Sequence, residues 1–284
     1  MTSPTESIHP PLEGRVILVT GAGSGLGRAC ALEAASRGAT VVLLGRTVGK
    51  LEKVYDEILA AGGAMPAILP MDLELAEDRD FDSLAQAIAS QLRRLDGIVH
   101  CAAKFDQLSP LALQTVGEWQ QLYRVNCIAP SAIDRACEPL LKAAADASVV
   151  LVGATPGQQP AAYWGGFAAA KAGLAAYFRV QAEEWEKPPR PRINLFIPGP
   201  IDSPQRARSH PGESKAGLPS LASVAQAIIA LLGPGDTRRG EVIEGSIPAR
   251  DKGMAPAFER PQGRATPSPP PEGDKKTRGG PSFS

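Results

Sequence analysis

The stretch Arg15-Val-Ile-Leu-Val-Thr-Gly-Ala-Gly-Ser-Gly-Leu-Gly27 decides the fold of this chain. It begins as an apolar run of strand length, continues into a glycine-rich turn and leads into a helical pattern that starts near Leu26. A strand, a glycine turn and a helix in this order are the context in which such a turn binds a dinucleotide. Gly21 allows a sharp turn, and Gly25 or Gly27 allows the backbone to approach a pyrophosphate. The pattern predicts nucleotide binding, against the alternative of an ordinary strand-to-helix turn.

The composition favours one sizeable α/β domain. The chain has 284 residues, of which 43% are hydrophobic and 21% are charged. Thirty basic residues balance thirty acidic residues, which predicts neither nucleic acid nor an anionic membrane as a partner. The four cysteines show no metal or disulfide spacing, as is usual for thiols of a reducing compartment. Because no secretory signal and no apolar run of membrane-spanning length is visible, we expect a soluble cytoplasmic protein without a metal site.

Apolar runs of strand length alternate with helical patterns along the chain. The predicted strands are Arg15–Val19, Thr40–Leu44, Ala67–Leu69, Gly97–Cys101, Ser148–Val152, Arg192–Ile197 and Glu241–Glu244. Thr47 and Ser220 are predicted to cap helices, and Thr115 with Glu118 has the spacing of a capping box that opens a long helix. Continuous apolar strands between helices are typical of a parallel sheet that is covered on both faces. We therefore predict a doubly wound, mostly parallel α/β fold of the Rossmann type with three layers, αβα.

The predicted domain covers residues 12–248 and binds its nucleotide at the carboxyl ends of the strands. Residues 1–11 are predicted to form a flexible arm. Residues 249–284 are rich in Pro, Gly and charge and lack an apolar pattern. Such a sequence buries too little apolar surface to become ordered, so a solvated, disordered tail is predicted rather than an interaction tail.

Several short segments carry a resemblance to a known family. They are TGAGSGLG (Thr20–Gly27), Met71-Asp72-Leu73, LDGIVHCAA (Leu95–Ala103), VNCIAP (Val125–Pro130), FAAAK (Phe167–Lys171) and IPGPIDS (Ile197–Ser203). In their order and distances the chain resembles the short-chain dehydrogenase/reductase family over nearly its whole folded length. The resemblance implies an NAD(P)-dependent oxidoreductase that acts on a small carbonyl or alcohol substrate. It also implies a homo-oligomer, a dimer or a tetramer, that assembles through its long helices.

The resemblance also assigns the residues that contact the cofactor. They are Thr20, Gly21, Ser24, Gly25, Leu26 and Gly27 in the glycine turn, Arg46, Asp72 and Leu73 after the second and third strands, Cys101, Ala102 and Ala103 after the fourth strand, Lys171, and Pro198, Gly199, Ile201 and Ser203 downstream. Asp72 resembles the family aspartate that meets the adenine ring. Its alternative role is to cap the following helix.

Cofactor choice is predicted from the end of the second strand. A carboxylate there would hydrogen-bond the adenosine ribose and repel a 2′-phosphate. This chain instead has Leu44-Gly45-Arg46, in which a guanidinium can fork onto phosphate, and Ser24 in the glycine turn can add a hydroxyl. The sequence thus predicts NADP(H) in preference to NAD(H). The alternative for Arg46 is a solvated arginine at the start of a helix.

The family mechanism, as the resemblance implies it, uses a tyrosine, a lysine, a serine and an asparagine. Asn126 and Lys171 match two of them, whereas Phe167 stands at the tyrosine position and Ala154 at the serine position. Phenylalanine has no proton to give, and general acid catalysis is typically worth about 10²–10⁴ in rate. Loss of a donor that polarises the carbonyl costs on the order of another 10²–10³. We therefore predict that the usual proton-transfer step is impaired.

Two nearby hydroxyl groups are candidates to replace the missing pair. Thr155 is adjacent to Ala154, so a small register shift would let it polarise the carbonyl; the alternative is a strand-end threonine that bonds backbone. Tyr163 would have to reach down a full helical turn, about 5.4 Å, to replace the phenol. The alternative is that Tyr163 lines the substrate pocket together with Trp164.

Two other features have open interpretations. His100 has an unperturbed pKa that suits a catalytic base, but a structural histidine with satisfied hydrogen bonds is the preferred interpretation. Residues 204–218 are polar and resemble in position the family's substrate loop. Arg206, Arg208 and His210 in this loop favour an anionic substrate, unless the loop is simply solvated.

Three functions are compatible with the sequence. The first is an active NADP-dependent oxidoreductase that uses Thr155, Tyr163 or a proton supplied by the substrate. The second is an inactive sensor that binds NADP(H) without turning it over. The third is a structural subunit that pairs with a catalytically complete homologue. Fold resemblance alone does not separate them.

Overall fold

A single sheet of seven parallel strands forms the centre of the molecule in this computed structural model, which describes residues 11–187 and 190–245. The strands are β1 (Val16–Thr20), β2 (Thr40–Gly45), β3 (Ala67–Pro70), β4 (Gly97–His100), β5 (Ser148–Val152), β6 (Arg192–Ile197) and β7 (Val242–Glu244). Their order is β3-β2-β1-β4-β5-β6-β7. The direction of winding reverses between β1 and β4, the point at which open α/β sheets bind ligands. The predicted doubly wound parallel fold is confirmed.

The predicted arm and tail lie outside the described residues, except for Pro11. The arm predicted over 1–11 is described at Pro11 alone, and the tail predicted over 249–284 is not described at all. The predicted domain end at 248 also falls beyond the last described residue, Gly245. These boundaries stay predictions from the sequence.

Helices cover both faces of the sheet. They are α1 (Gly25–Ser36), α2 (Val48–Ala60), α3 (Asp78–Gln91), α4 (Val116–Tyr123), α5 (Ala129–Ala143), α6 (Thr155–Gln158), α7 (Gly165–Glu184), α8 (Pro204–Ser209) and α9 (Leu221–Ala230). Helices α1, α2 and α9 pack on one face, and α3, α5 and α7 pack on the other. The result is the predicted three-layer αβα arrangement.

Alternate residues of each strand supply the two cores. In β1, Ile17 and Val19 belong to the core under α1, while Val16 and Leu18 belong to the core under α5 and α7. Because both faces are covered, the strand is apolar throughout and all five of its residues are buried. Full burial of a Val, Leu or Ile side chain contributes about 1.5–3 kcal/mol, so the sheet is a rigid base for the loops at its carboxyl edge.

Some predicted helix starts are confirmed and one is wrong. The Thr115–Glu118 capping box is present at the start of α4, and the Ser220 hydroxyl accepts a hydrogen bond from Ser223 N–H at the start of α9. Thr47 occupies the N-cap position of α2, but its side chain makes no capping bond. The alternative role of Asp72 as the cap of the next helix is wrong, because Glu77 caps α3.

The long helix predicted from Thr115 is interrupted. Residues Arg124–Ile128 form one π-helical turn between α4 and α5. Pro130 has no N–H with which to bond the carbonyl of Asn126 four residues earlier, and its ring crowds that carbonyl. The Asn126 side chain in addition donates to the Leu122 carbonyl at 2.9 Å. The backbone widens here for both reasons, and such π-turns are frequent at functional sites.

Candidate functional site

The glycine turn packs tightly on the segment that follows β4. Gly21 has φ +68°, and a Cβ on it would lie 2.9 Å from Ala102 Cα. A Cβ on Gly27 would overlap the carbonyl oxygen of Gly21. The Thr20 hydroxyl accepts a hydrogen bond from Ala102 N–H at 3.0 Å. These contacts explain why glycine is needed at both positions, and they hold the turn against the strand edge. Gly25 has φ +54° and faces open space.

A cavity of about 290 Å³ lies at the carboxyl ends of β1, β2 and β4. The predicted cofactor residues that line it are Gly21, Ser24, Arg46, Asp72, Leu73, Ala102 and Ala103. The predicted residues that do not line it are Thr20, Gly25, Leu26, Gly27, Cys101, Lys171, Pro198, Gly199, Ile201 and Ser203. Seven positions from four separate parts of the chain therefore meet at one cavity, which is concave and of the size that small ligands occupy.

Two cations lie at the end of this cavity near β2. Arg46 follows β2 and is exposed, and Lys50 lies one helical turn further in α2. Neither side chain forms an ion pair or a hydrogen bond with another described residue. Ser24, the N-cap residue of α1, lines the same end, and its side chain makes no capping bond. A phosphate here would meet two unneutralised cations and a free hydroxyl. Sequence reasoning missed Lys50, although its spacing of four from Arg46 was visible.

Acidic residues also line the cavity. Asp72 accepts a hydrogen bond from Glu74 N–H at 3.0 Å and so fixes the turn after β3. Glu74 pairs with Lys104 at 3.0 Å. The Lys104 carbonyl accepts a hydrogen bond from the Asn126 side chain at 2.8 Å, which ties the cavity wall to the π-turn. Glu74 and Lys104 were not predicted, because their pairing depends on the fold.

Lys171 and Asn126 are buried at the predicted catalytic positions. Lys171 lies in α7, and its ammonium donates to the Val152 carbonyl at 2.9 Å. Desolvation by burial lowers the pKa of Lys171 from 10.5 to about 8, while the neighbouring Cys101 and Cys127 oppose this shift. The Asn126 carbonyl oxygen Oδ1 is buried without a hydrogen-bond partner among the described residues. The Lys171 ammonium thus bonds a backbone carbonyl, and not the acidic hydroxyl that the family mechanism places beside it.

Aromatic side chains fill the place where the family resemblance puts the phenol. Phe167 is 3% exposed and packs with Phe105 and Leu122, with Ala154 and Trp164 at the margin of this aromatic cluster. The ring of Phe167 lies 5.3 Å from that of Phe105 in an edge-to-face arrangement and 5.7 Å from that of Trp164. Such pairs add about 0.5–1.5 kcal/mol beyond area burial. Ala154 thus packs against the same apolar cluster that contains Phe167.

The two hydroxyl groups considered as replacements lie elsewhere. Thr155 begins α6 and is exposed. Tyr163 is 57% exposed and has φ +73°, a strained conformation for an aromatic residue, and its carbonyl accepts a hydrogen bond from Ser109 N–H. Neither residue lines the cavity or joins the aromatic cluster. Trp164 does join it, so of the two residues predicted to line a substrate pocket, Trp164 alone contacts the described cluster.

The predicted substrate loop contains the short helix α8. Ser203 caps this helix by accepting a hydrogen bond from Arg206 N–H at 3.1 Å. Arg206 forms a forked ion pair with Glu213 at 2.6 Å. Arg208 stands over the Phe105 ring at 6.0 Å and lines the cavity, while His210 lies 6.2 Å from Trp164. The loop therefore covers the aromatic cluster.

Ion pairs inside the loop decide which of its cations remain available. Arg206 is neutralised by Glu213, so it is not free to bind an anionic substrate. Burial and the Arg206 charge lower the pKa of His210. Arg208 forms no ion pair with the described residues. Of the three residues predicted to favour an anion, Arg208 alone is a cation that faces the cavity.

His100 belongs to a buried polar network rather than to the cavity. Its Nε2 lies 2.9 Å from Asp134 Oδ1, and the other oxygen of Asp134 accepts a hydrogen bond from the Tyr177 hydroxyl at 2.7 Å. His100 and Asp134 are 2% and 0% exposed. Burial, followed by the Asp134 charge, raises the pKa of Tyr177 well above its usual range. His100 is thus part of a structural network, as expected, but its Nδ1 is buried without a hydrogen-bond partner among the described residues, so only one ring nitrogen has the expected bond.

The segment after β6 packs in the core and does not line the cavity. Gly199 has φ +69°, which favours glycine, and Ile201 is buried in the core under α1 and α9. Pro198 lies close against Gly245, since a Cβ on Gly245 would come within 2.9 Å of the Pro198 carbonyl oxygen. In this structure these residues do not reach the cavity, and their predicted contact with a nicotinamide stays a prediction.

The buried lysine makes stability depend on pH. Below pH 8 both folded and unfolded chains carry the Lys171 ammonium, and folding bears the full cost of burying it. Between pH 8 and 10.5 the folded lysine loses its proton while the unfolded one keeps it, so stability rises with pH. Relative to Lys171→Met, the free energy of unfolding of the cofactor-free wild type should gain about 2–3 kcal/mol over this interval. Denaturant unfolding across the interval measures it, and parallel profiles for the two proteins would contradict it.

Residues 11–187 and 190–245 contain neither a membrane-spanning helix nor a metal-binding cluster. No helix there is both long and apolar enough to cross a membrane. The same residues contain no group of three or more His, Cys, Asp or Glu side chains placed to hold a metal ion.

Comparison with known proteins places this geometry in one family. The short chain dehydrogenase family model matches residues 15–214. The uncharacterized oxidoreductase YciK of Escherichia coli K12 is 33% identical over 244 residues, which cover 86% of this chain and 96% of that protein.

Solved structures of such dehydrogenases have the same fold. One from Shigella flexneri 2a, complexed with NADP, superposes with a TM-score of 0.79 at 32% identity and covers 83% of this chain and 98% of its own. Another, from Escherichia coli CFT073 and complexed with NADPH, gives 0.79 at 33% identity with the same coverage. The family model, the similarity along the whole domain and the shared fold agree: the chain belongs to the short-chain dehydrogenase family of oxidoreductases.

Proposed function

We propose that the protein binds NADP(H) and that its reduction of ordinary carbonyl substrates is impaired at the proton-transfer step. The observation that carries the proposal is the burial of Phe167, one helical turn before Lys171, in an apolar cluster with Phe105 against which Ala154 packs. A nicotinamide cofactor supplies hydride when it is bound. This chain's residues then have to give a proton to the carbonyl oxygen, and neither Phe167 nor Ala154 has one to give.

The cations at the adenosine end support the choice of NADP(H). Arg46 and Lys50 line the cavity without ion pairs to other described residues, and no carboxylate lies at the end of β2, where it would repel a 2′-phosphate. The structures of the Shigella and Escherichia coli relatives contain NADP and NADPH. The contacts of the phosphate groups would come from the glycine turn and from the first N–H groups of α1.

Replacement of Arg46 tests this preference. Arg46→Ala should weaken NADPH binding by about 5- to 30-fold and leave NADH binding nearly unchanged, because a charge-assisted contact to phosphate is worth roughly 1–2 kcal/mol. Cofactor fluorescence titration of both nucleotides measures the ratio of affinities. Arg79→Ala, at an 81% exposed arginine of α3 away from the cavity, is the matched control and should change neither affinity. Equal affinities of the wild type for the two nucleotides would refute the preference.

Two other functions from the sequence analysis can be tested with the same protein. A sensor would bind NADPH and would not consume it with any carbonyl in a substrate panel. An active enzyme with replacement groups would consume it and would lose activity in Thr155→Val or Tyr163→Phe. The positions of both hydroxyl groups outside the cavity and the aromatic cluster favour the sensor over this enzyme.

We also propose a homo-oligomer that assembles through α5 and α7. Ile128 and Val180, next to and within these helices, are 50% and 58% exposed, which is consistent with an apolar contact surface. Sedimentation of the pure protein measures its oligomeric state, and Val180→Glu should shift an oligomer toward monomer. Capture of an active homologue instead of self-association would support the structural subunit. A monomer at all concentrations would rule out the homo-oligomer.

A further inference from the structure

Two thiols touch behind the glycine turn. Cys30 lies in α1, one turn after Gly27, and Cys101 directly follows β4; their sulfur atoms are 3.8 Å apart. Cys30 is fully buried and Cys101 is half-buried. We propose that Cys30 and Cys101 form a reversible disulfide, and that this bond weakens nucleotide binding at the adjacent turn. The second half of the proposal rests on the proposed NADP(H) site.

The surroundings give the two sulfurs different roles. The half-buried Cys101 is within reach of a small oxidant, which the fully buried Cys30 is not. The hydrogen-bonded contact with Cys101, followed by burial, raises the pKa of Cys30. Cys30 therefore stays a thiol. Cys101 is the sulfur that attacks the oxidant, and Cys30 is the resolving sulfur.

A hydroperoxide is a sufficient oxidant. The Cys101 thiolate attacks one peroxide oxygen, an S–O bond forms, the O–O bond breaks, and the departing hydroxide takes a proton to become water. Cys30 sulfur then attacks the sulfenic sulfur, an S–S bond forms, the S–O bond breaks, and a second water leaves with the proton of Cys30. In sum, two thiols lose two electrons and hydrogen peroxide is reduced to two waters.

The bond would strain the cofactor turn. A disulfide requires about 2.0 Å between sulfurs, so the two must approach by about 1.8 Å. The neighbouring backbone has no slack, since Gly21 packs on Ala102 so closely that a Cβ would come within 2.9 Å. The Thr20 hydroxyl also holds Ala102 at 3.0 Å. Pulling α1 toward Cys101 therefore displaces the glycine turn relative to the residues that face it across the cavity.

The experiment uses the full chain and hydrogen peroxide. NADPH affinity of the reduced protein is measured first, by fluorescence titration. After treatment with peroxide, intact mass should fall by two hydrogens, and peptide mapping should link Cys30 to Cys101. NADPH affinity should fall at least ~5-fold, within the usual range for coupled sites, and a thiol reductant should restore it. NADPH bound beforehand should slow the cross-link, because coupling between two sites is reciprocal.

Matched variants separate this bond from other oxidation. Cys30→Ser and Cys30→Ala should keep their NADPH affinity after peroxide, since neither can close the bond. Cys137→Ser, at another buried thiol, should respond as the wild type does. Oxidation of the half-buried Cys127 without a Cys30–Cys101 link would overturn the proposal, as would a linked protein that binds NADPH unchanged. A reduced protein without NADPH affinity would instead contradict the proposed function, and the cross-link would still be read by mass.

Discussion

Phe167→Tyr combined with Ala154→Ser is expected to raise carbonyl reduction by at least ~10²-fold on any substrate that the pocket accepts. The first change adds one oxygen to a ring that already lies one helical turn before Lys171. The second change places a hydroxyl in the apolar contact that Ala154 now makes with this cluster. Together they restore a proton donor and a group that polarises the carbonyl. The Lys171 ammonium should lower the pKa of the new phenol.

The aromatic cluster offers a matched control for this gain. Phe105→Tyr adds the same oxygen to a ring 5.3 Å from Phe167, in the same cluster but on another segment of the chain. It should give no increase in turnover, alone or with Ala154→Ser. The measurement is NADPH consumption with a panel of ketones and aldehydes. A folded double variant that binds NADPH and gains nothing over the Phe105→Tyr control would count against the assignment of positions 154 and 167.

Gly27→Ala is expected to cost at least about 3 kcal/mol of stability and ~10²-fold in NADPH affinity. Its Cβ would overlap the carbonyl of Gly21 and lie 3.1 Å from that of Thr20, both of which are backbone atoms that cannot rotate away. The turn would have to open, and the N–H groups at the start of α1 would move with it. Thermal unfolding and NADPH titration measure the two effects.

A glycine in an uncrowded helix is the control for that substitution. Gly117 lies in α4, and a Cβ there would meet only the Thr115 hydroxyl at 4.0 Å. Gly117→Ala should leave NADPH affinity unchanged and raise stability slightly, because Ala is the better helix former. If Gly27→Ala left stability and NADPH affinity as Gly117→Ala does, the inference that the turn is closely packed around Gly27 would be wrong.

The fold was predictable because strand burial leaves a strong sequence signal. β5 and β6 have the bounds that their apolar runs predict, and the other strands differ at their ends by a residue or so. Arg15, Cys101 and Glu241 fall outside the strands to which they were assigned, since pairing with a neighbour, not side-chain polarity, ends a strand. The π-turn at Arg124–Ile128 was not predicted, although the missing N–H of Pro130 was visible.

The site was predictable where local sequence determines it and not where distant segments meet. The positions of Arg46 and Lys171 follow from their distance to a strand end or a motif. The contact between Phe167 and Phe105 could not be predicted, because it joins α7 to the loop after β4. The same holds for Arg208, which reaches the cavity from α8. Such contacts depend on how loops fold over the sheet, which has no periodic pattern in sequence.

NADPH consumption by the wild-type protein, at a nucleotide concentration where binding is complete, tests the central claim most directly. The structure places Phe167 in an apolar cluster and leaves Thr155 and Tyr163 outside it. The account predicts saturable NADPH binding together with negligible reduction across a broad panel of ketones and aldehydes. Robust wild-type turnover that persists in a Thr155→Val, Tyr163→Phe double variant would contradict it.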